Sequence, residues 1–358
     1  MKILVTGGHI TPALAVIDEL LKYKDLNVKI IIVGRKFEPH SFRPSFEYQE
    51  AKKKNIRFIH LEAGRLTRLL NIHSIVHVLK FPLGLIYALK IIYKEKPDKI
   101  ISFGGYIALS VAIAGWILRV PIYTHEQTIT PGITNKFISN FAQKVFITFP
   151  ESARYFNKKT ILTGNPLRSS IFKIQTKLFP INTNKSVIYI TGGSLGSHSI
   201  NVHIESILDQ LLKEYIVIHQ TGDVKEFDDY ERLSRIKDPN YFVLKHVMED
   251  QLGYILHNTG LIISRSGANT ILEIIALKKP SILIPLPWSA NQEQKAHALL
   301  LQKKGVAEIF DQKRQSNDLY ELIQKMIQNK SIYEQNFDKL SSYYNPKAAE
   351  KIANEIIN

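Results

Sequence analysis

The sequence predicts an α/β protein made of two doubly wound domains, each with a parallel sheet flanked by helices. Short apolar runs rich in Ile and Val alternate with helical patterns, and this alternation is typical of parallel sheets. The first six runs are 3–6, 28–33, 56–61, 99–103, 122–124 and 144–147. The pattern restarts at Ser186, where a strand over 186–191 leads into a glycine turn and a helix from Ser199. This repeat predicts a second domain of the same kind, with a cleft between the two.

A domain boundary is expected near Thr163-Gly164-Asn165-Pro166. Glycine and proline interrupt regular secondary structure there, and proline disfavours a helical conformation at the residue before it. The chain has 358 residues, more than one hydrophobic core usually organises. We therefore expect domains at 1–163 and 164–339. The last helical pattern has no strand after it, and residues 340–358 are expected to pack back on the first domain.

The composition is that of a globular protein, with 45% hydrophobic and 22% charged residues. Cysteine is absent, which excludes disulfides, thiol nucleophiles and thiolate metal sites. The first apolar run ends in Thr6-Gly7-Gly8, so no signal peptide is predicted and a cytoplasmic location is expected. The uncharged stretch 100–118 is long enough to cross a bilayer, but its glycines favour a buried strand, a turn and a buried helix.

The chain carries 47 Lys and Arg against 32 Asp and Glu, which gives a net charge of +15. Such a field attracts polyanions, anionic lipid head groups and phosphorylated substrates alike. An AT-rich genome, which favours lysine codons, is an equally good explanation of the excess. The net charge alone does not identify which of these anionic partners the protein binds.

The segment 69–93 is aliphatic and carries Lys80 and Lys90, with Lys94 just beyond it. If exposed, it would dock on an anionic membrane surface, with apolar side chains in the bilayer and lysines at the head groups. If buried, it would form two core helices. An amphipathic pattern does not show whether the apolar face packs against protein or against a membrane, so both interpretations stay open.

The stretch 262–298 has the parts of a nucleotide-sugar pocket. A β-branched run leads into Ser266-Gly267-Ala268 and a helix, whose first backbone N–H groups can hold a diphosphate. Glu273 lies near the helix start, where its carboxylate can accept hydrogen bonds from ribose hydroxyls. Gln292 and Gln294 follow the next strand, at the edge where ligands collect in open α/β sheets, and their amides suit sugar hydroxyls.

No metal ion is expected to assist this pocket. The chain has no Asp-x-Asp pair, the divalent-metal clamp of many nucleotide-sugar enzymes. Helix N-termini and cations such as Arg168 would therefore neutralise the leaving diphosphate. His73 and His77 stand four residues apart, as on a metal-binding helix, but no nearby carboxylate completes a ligand set.

The turn Thr6-Gly7-Gly8-His9 joins the first strand to a helix expected to start near Pro12, since proline suits the first turn of a helix. Glycines let the backbone approach a bulky ligand closely. His9 is a candidate general base, because imidazole titrates near neutral pH. The alternative is a tight turn without any chemistry.

Polar residues also follow the later strands of the first domain. They are Gly104-Gly105-Tyr106, His125-Glu126-Gln127-Thr128 and Thr134-Asn135-Lys136. Such residues at strand ends suit recognition of an acceptor or a phosphate. Alternatively, Glu126 simply caps the segment that follows it.

The central turn Gly192-Gly193-Ser194-Leu195-Gly196 matches the Gly-x-Ser-x-Gly nucleophile elbow of serine hydrolases. Asp250 and His257 are candidates for the other two members of a triad. A hydrolase would leave the N-terminal glycine turn and the stretch 264–294 without a role. A plain anion-binding turn is therefore the preferred interpretation.

In this order along the whole chain, the motifs resemble the MurG family, the N-acetylglucosaminyltransferases that make lipid II for peptidoglycan. The resemblance also rests on Glu62-Ala63-Gly64-Arg65-Leu66, Gly164-Asn165-Pro166-Leu167-Arg168 and Arg265-Ser266-Gly267-Ala268. It implies a GT-B glycosyltransferase fold, with UDP-N-acetylglucosamine in the C-terminal domain and lipid I, the undecaprenyl-diphospho-muramyl-peptide, in the N-terminal domain. A glycolipid glycosyltransferase or a UDP-sugar epimerase of the same fold is the closest alternative.

The implied reaction is an inverting, metal-independent transfer to the 4-hydroxyl of the muramyl sugar. The family works without a cofactor, as a peripheral protein on the cytoplasmic face of the plasma membrane. We expect no nucleic acid partner.

By position, the resemblance implies that backbone at Met248 reads uracil, Glu273 holds ribose and Gln294 reads the sugar. The implied donor-contacting set is Thr6, Gly7, Gly8, Thr128, Arg168, Ser194, Met248, Ala268, Asn269, Thr270, Ile271, Leu272, Glu273 and Gln294. The expected acceptor-binding set is Gly104, Gly105, Tyr106, His125, Glu126 and Asn135, with His9 as the catalytic base. The chain departs from the family pattern in a shorter glycine turn before Thr6, and in Thr128 and His297 where Asn is usual.

Overall fold

The computed structural model describes residues 1–38, 43–63, 72–157, 160–181, 184–193, 195–223 and 226–358, without the side chains of 72–80. The chain divides into two compact units. The N-terminal unit comprises Met1–Leu167 and Asn345–Asn358, and the C-terminal unit comprises Arg168–Tyr344. The sequence places these boundaries a few residues earlier, after 163 and after 339.

The N-terminal unit contains one seven-stranded sheet in which every neighbouring pair is parallel. Its strands are β1 (Lys2–Thr6), β2 (Lys29–Gly34), β3 (Arg57–His60), β4 (Lys99–Ser102), β5 (Ile122–Glu126), β6 (Lys144–Ile147) and β7 (Thr160–Leu162), in the order β3-β2-β1-β4-β5-β6-β7. Its helices are α1 (Ile10–Leu20), α2 (Phe46–Lys53), α3 (Ile72–Glu95), α4 (Tyr106–Ile117) and α5 (Ile133–Ser139).

The C-terminal unit contains a six-stranded parallel sheet. Its strands are β8 (Val187–Thr191), β9 (Ile216–Gln220), β10 (Tyr241–Leu244), β11 (Leu261–Ser264), β12 (Ser281–Leu283) and β13 (Ala307–Ile309), in the order β10-β9-β8-β11-β12-β13. Its helices are α6 (His198–Glu214), α7 (Asp229–Leu233), α8 (Glu249–Asn258), α9 (Ala268–Leu277), α10 (Glu293–Lys304), α11 (Ser316–Gln328) and α12 (Lys330–Gln335). The predicted fold class, two Rossmann-like doubly wound domains, is confirmed.

Both sheets share one topological feature that positions the candidate site. In each, the chain runs outward from a central strand, β1 or β8, and then returns to start again on that strand's other side, at β4 or β11. The connections after the two adjacent strands diverge, which leaves a crevice at their carboxyl ends. The glycine turns that the sequence singles out follow these four strands.

The helices bury both faces of the N-terminal sheet. One face packs against α1 and the last helix, α13 (Ala348–Ile357), whose Ile352 and Ile356 share a core with Ile3 and Val5. The opposite face packs against α3, α4 and α5. The expected buried strand, turn and buried helix over 100–118 are confirmed as β4, a glycine turn and α4.

Within the described part of the segment 69–93, the structure has one helix, α3, rather than two, and Pro82 lies inside it. The helix α1 begins at Ile10, two residues before the expected start at Pro12, so proline still falls in the first turn, where its missing N–H costs nothing. Across the described residues, none of the helices has the length and apolar character that crossing a bilayer requires.

Candidate functional site

The crevice of the N-terminal unit is lined by backbone rather than by side chains. The Gly8 N–H donates to the Gly104 carbonyl at 2.9 Å. A Cβ atom on Gly105 would lie 2.8 Å from the Gly8 nitrogen, and one on Gly7 would lie 2.7 Å from the Phe103 Cβ. Any larger residue would force the turns after β1 and β4 apart. These glycines therefore allow two turns to form one surface at the switch point.

His9 lies at the N-cap of α1, with an exposed side chain at the edge of this surface. Its Nδ1 atom is 3.0 Å from the carbonyl oxygen of Phe103. A carbonyl only accepts hydrogen bonds, so Nδ1 carries the proton of the neutral ring and Nε2 keeps its lone pair. The fold thus holds His9 in the tautomer that a general base needs.

His125, at the end of β5, is almost completely buried, with 1% of its surface exposed. Its Nε2 atom lies 3.3 Å from both the Gly164 carbonyl oxygen and the Thr148 hydroxyl. Burial, opposed by the Gly164 carbonyl and assisted by the nearby His9, lowers the pKa of His125 to about 4. His125 is therefore neutral at physiological pH.

Glu126 and Asn135 organise the loop that follows β5. One Glu126 carboxylate oxygen accepts from the N–H and hydroxyl of Thr128 at 2.9 and 2.7 Å, and the other accepts from the Gly132 N–H and the Asn135 amide at 3.3 and 2.9 Å. The Asn135 amide also donates to the His125 carbonyl and accepts from the Thr124 hydroxyl. Glu126 thus caps the segment after it, which is the structural alternative left open by the sequence. Direct contact of Glu126 or Asn135 with an acceptor stays a prediction.

Two other expected residues of this unit mark the carboxyl edge of its sheet. Thr6 ends β1 with a buried hydroxyl that has no hydrogen-bond partner among the described residues. Tyr106 is the first residue of α4, directly after the turn at Gly104 and Gly105. Both lie at the switch point, as their proposed ligand contacts require.

The glycine turn of the C-terminal unit rests on the end of β9. Its Gly193 N–H donates to the Thr191 hydroxyl at 3.0 Å, and that hydroxyl donates to the Gln220 side-chain oxygen at 3.1 Å. The Tyr189 hydroxyl donates to the same Gln220 oxygen at 2.6 Å. A buried polar network at the ends of β8 and β9 therefore holds the turn in place. Ser194 itself lies outside the described residues.

The other two candidate residues of a hydrolase triad lie seven residues apart on α8. Asp250 accepts a hydrogen bond from Thr176, and the His257 ring contacts the Gly253 carbonyl. No hydrogen bond joins Asp250 to His257 in the described structure. The geometry therefore gives the serine hydrolase alternative no support.

The helix α9 begins at Ala268, with Gly267 as its N-cap, in agreement with the predicted strand, turn and helix. The first backbone N–H groups of a helix have no partner within it, so this start can bind an anion. Next to it, the Arg265 guanidinium donates to the Ile284 carbonyl and to the hydroxyls of Ser197 and Ser199. Burial lowers the pKa of Arg265 to about 10, so it remains a cation at neutral pH.

Arg168 and Glu273 form an ion pair, whereas the sequence assigns them to different parts of a ligand. The Nε and Nη2 atoms of Arg168 both donate to one Glu273 oxygen, at 3.0 and 2.9 Å. Burial opposes the charge on Arg168, but Glu273 outweighs it and raises the pKa of Arg168. The pair keeps a carboxylate in a partly buried position beside α9.

The side-chain amide of Gln294 has a fixed orientation. Its oxygen accepts a hydrogen bond from the Leu286 N–H at 3.0 Å, and a backbone N–H only donates. The amide nitrogen, a donor, therefore points the other way; its contact with a sugar stays a prediction. The sequence predicts that this amide can both donate and accept, and the fold selects donation.

Met248 is the N-cap of α8 and 61% exposed. Its N–H donates to the Gln251 side chain at 2.9 Å, and its carbonyl accepts from the N–H groups of Gln251 and Leu252. Uracil recognition by this backbone would replace or share the contact with Gln251.

In the ranges that the structure describes, no three His, Asp or Glu side chains come together as a metal-binding group. The side chains of His73 and His77 lie outside these ranges. Metal independence stays a prediction.

The chain is similar in sequence to a family of glycosyltransferases. The N-terminal domain of glycosyltransferase family 28 matches residues 5–147, and its C-terminal domain matches residues 187–356. The UDP-N-acetylglucosamine--N-acetylmuramyl-(pentapeptide) pyrophosphoryl-undecaprenol N-acetylglucosamine transferase of Clostridium perfringens is 34% identical, with 100% of this chain and 96% of the relative covered. The chain belongs to this family of transferases.

The family assignment extends to other relatives. The transferase of the same name from Clostridium tetani is 32% identical over 97% of this chain and 99% of its own length. The crystal structure of Acinetobacter baumannii MurG has a TM-score of 0.74 at 24% identity, with 99% of both chains covered. The UDP-GlcNAc 2-epimerase of Neisseria meningitidis, bound to UDP-GlcNAc, has a TM-score of 0.68 at 16% identity and shares the fold. The resemblance to the MurG family is thus confirmed.

Several residues that shape the site could not be identified from the sequence motifs. Phe103 and Leu286 act through backbone groups, which any residue type supplies. Gln220 has a visible signal, a polar residue that ends an apolar run, but β9 is not among the predicted strands.

We predict that protonation of His125 destabilises the N-terminal unit in acid. The unfolded chain binds this proton near pH 6.5 but the folded unit only near pH 4, so the free energy of unfolding falls as pH drops through this window. Urea unfolding at pH 7 and pH 5 should differ by about 1 to 2 kcal/mol more in the wild type than in His125→Gln. The exposed His246→Gln is the control. An equal pH dependence in wild type and His125→Gln would contradict the prediction.

Proposed function

We propose that the chain transfers N-acetylglucosamine from UDP-N-acetylglucosamine to lipid I and so forms lipid II. The relatives that define its family carry this activity in their names. One observation carries the proposal. At one switch point of the C-terminal unit, the start of α9, which can bind an anion, lies together with Glu273 and Gln294. These are the groups that a diphosphate, a ribose and a sugar require.

In this proposal the C-terminal unit binds the donor. The N-terminal amides of α9 hold the diphosphate, the Glu273 carboxylate accepts from ribose hydroxyls, and the Gln294 amide nitrogen donates to the sugar. Arg168 adds a positive charge on the same side of the unit. The N-terminal unit binds lipid I at the crevice formed by its glycine turns.

The proposed reaction inverts the anomeric carbon in a single displacement. The 4-hydroxyl oxygen of the muramyl sugar forms a bond to the anomeric carbon as the bond to UDP breaks, and UDP leaves with the electron pair. The hydroxyl proton goes to the Nε2 atom of His9, which carries the lone pair of the neutral ring because Nδ1 donates to the Phe103 carbonyl. Peptide amides and Arg168 stabilise the charge that develops on UDP.

We expect the purified protein to convert UDP-N-acetylglucosamine and a short-chain lipid I analogue into a product heavier by one N-acetylhexosamine. The yield should be the same with EDTA as with magnesium, because helix N-termini take the role of the metal. Mass analysis of the reaction measures both. A product formed only with magnesium would contradict metal independence, and epimerised UDP-sugar without transfer would favour the epimerase alternative.

Replacement of the catalytic base gives a separate prediction. His9→Ala should lower kcat by roughly 10²- to 10⁴-fold, the usual contribution of general base catalysis. UDP affinity should change little, since the diphosphate is held by the C-terminal unit. Turnover and UDP calorimetry on the same preparation measure the two effects. Near-normal turnover would remove His9 from this role.

We further propose that the N-terminal unit docks on an anionic membrane surface, at the cytoplasmic face of the plasma membrane. This unit carries 26 Lys and Arg against 13 Asp and Glu, whereas the C-terminal unit carries 21 against 19. Nearly all of the net positive charge therefore belongs to the unit proposed to bind the lipid-linked acceptor. Genome composition alone would not divide the charge in this way.

Exposed apolar side chains support the same surface. Leu83, Ile86 and Tyr87 lie on one stripe of α3 that continues to Lys90 and Lys94. The neighbouring α4, which packs against α3, also has exposed apolar side chains, Trp116 and Ile117. A stripe of apolar residues bordered by lysines is typical of helices that lie at a membrane interface.

Charge reversal on this stripe should weaken membrane binding. We expect Lys90→Glu combined with Lys94→Glu to lower affinity for vesicles rich in phosphatidylglycerol by at least about tenfold, because each lysine near an anionic surface adds about 1 kcal/mol. Vesicle cosedimentation measures this. Lys213→Glu with Lys303→Glu, both exposed in the C-terminal unit, is the charge-matched control. Equal losses in the two double variants would contradict a specific docking surface.

A further inference from the structure

His297 contacts the turn that precedes α9, although it belongs to a different helix, α10. The side chain is completely buried, and its Nδ1 atom lies 3.0 Å from the Ser266 carbonyl oxygen. The carbonyl only accepts, so Nδ1 donates. Burial lowers the pKa of His297 to about 4, which keeps the ring neutral under physiological conditions.

The same serine is held a second time by the same helix. The Ser266 hydroxyl donates to the Gln294 backbone carbonyl at 2.8 Å. Gln294 and His297 are three residues apart, so they lie on one side of α10. We call Ser266, Gln294 and His297 the Ser266 clamp. It fixes both the carbonyl and the hydroxyl of a residue that is itself completely buried.

The position of the clamp connects it to the proposed donor site. Ser266 directly precedes Gly267, the N-cap of α9, so a shift of Ser266 moves the first N–H groups of that helix. Gly267 has no side chain to anchor the turn, and no described atom lies within 4 Å of where its Cβ would be. The direction of these amides therefore depends on Ser266. Gln294, the proposed sugar-reading residue, is part of the same clamp.

We propose that His297 is a positioning residue for donor binding: through Nδ1 it holds the Ser266 carbonyl and thereby aims the amides of α9 at the diphosphate. It contributes to UDP affinity without contacting the ligand. This inference rests on the proposed function, because it takes the start of α9 as the diphosphate site.

The geometry of the side chain supplies matched variants. The amide nitrogen of asparagine is attached to Cγ, as Nδ1 of histidine is, and can replace it as a donor. The amide nitrogen of glutamine is one bond farther out and corresponds to Nε2 instead. Leucine fills a similar volume without any donor and leaves the Ser266 carbonyl buried and unpaired.

The experiment compares UDP and uridine affinities by calorimetry on the full-length wild type, His297→Asn, His297→Gln and His297→Leu. We expect His297→Leu and His297→Gln to weaken UDP binding roughly tenfold or more, the usual effect of an unpaired buried carbonyl. Uridine, which lacks the diphosphate, should lose less than about threefold, and His297→Asn should stay within about threefold of the wild type for both ligands. The KM for UDP-N-acetylglucosamine should rise in step with the UDP dissociation constant.

Each result bears on a different claim. Equal losses of UDP and uridine affinity would mean a general structural role and would overturn the inference, as would UDP binding that is unchanged in all variants. Tight binding by His297→Gln with weak binding by His297→Asn would assign the role to Nε2 and also overturn it. If His297→Leu does not fold, the comparison of Asn with Gln decides. A wild type that does not bind UDP contradicts the proposed function itself.

Discussion

The order of the strands is the constraint on which the rest of the structure depends. In each unit the chain leaves a central strand in one direction and returns on its other side, so two neighbouring strands, β1 with β4 or β8 with β11, end in diverging connections. Larger residues at the turns after these strands would fill the space between the strand ends with their side chains. Glycines at the turns let backbone meet backbone instead in the N-terminal unit, as between Gly8 and Gly104. In the C-terminal unit, Gly196 after β8 and Gly222 after β9 approach each other in the same way. Exposed peptide groups of this kind suit a diphosphate.

Backbone carbonyls then determine the chemistry of the histidines at these edges. The rings of His9, His125 and His297 each place one nitrogen near a carbonyl oxygen, of Phe103, Gly164 and Ser266 respectively. Because a carbonyl only accepts, each contact fixes which nitrogen carries the proton. Exposure then separates the three rings, since His9 is exposed while His125 and His297 are buried. One type of contact thus sets the tautomer of a proposed base and of two buried rings.

The sequence predicts the fold well, because a parallel sheet leaves a periodic pattern of apolar runs. The seven predicted strands with stated bounds, β1 to β6 and β8, agree with the structure to within about two residues at each end, and the two strands expected within 262–298 are β11 and β12. Strands β7, β9, β10 and β13 are missing from the prediction, since they are short or lie among polar residues such as His219 and Gln220. Glycine turns at strand ends also identify the switch points, because only glycine permits such close contact.

The orientation of side chains at the site is not predictable in the same way. That Glu126 caps its own loop, or that the Gln294 oxygen accepts from Leu286, depends on backbone N–H groups, which residues of nearly any type supply. The Arg168–Glu273 pair is the clearest case, because the two residues are 105 positions apart.

A carboxylate placed to accept from a ribose also repels the diphosphate attached to that ribose, and the helix start of α9 only partly offsets this repulsion. In the proposed donor site, the guanidinium of Arg168, held on one Glu273 oxygen, would offset the charge of the carboxylate while the second oxygen accepts from hydroxyl groups. The ion pair would then let one pocket bind both a sugar hydroxyl and a phosphate anion.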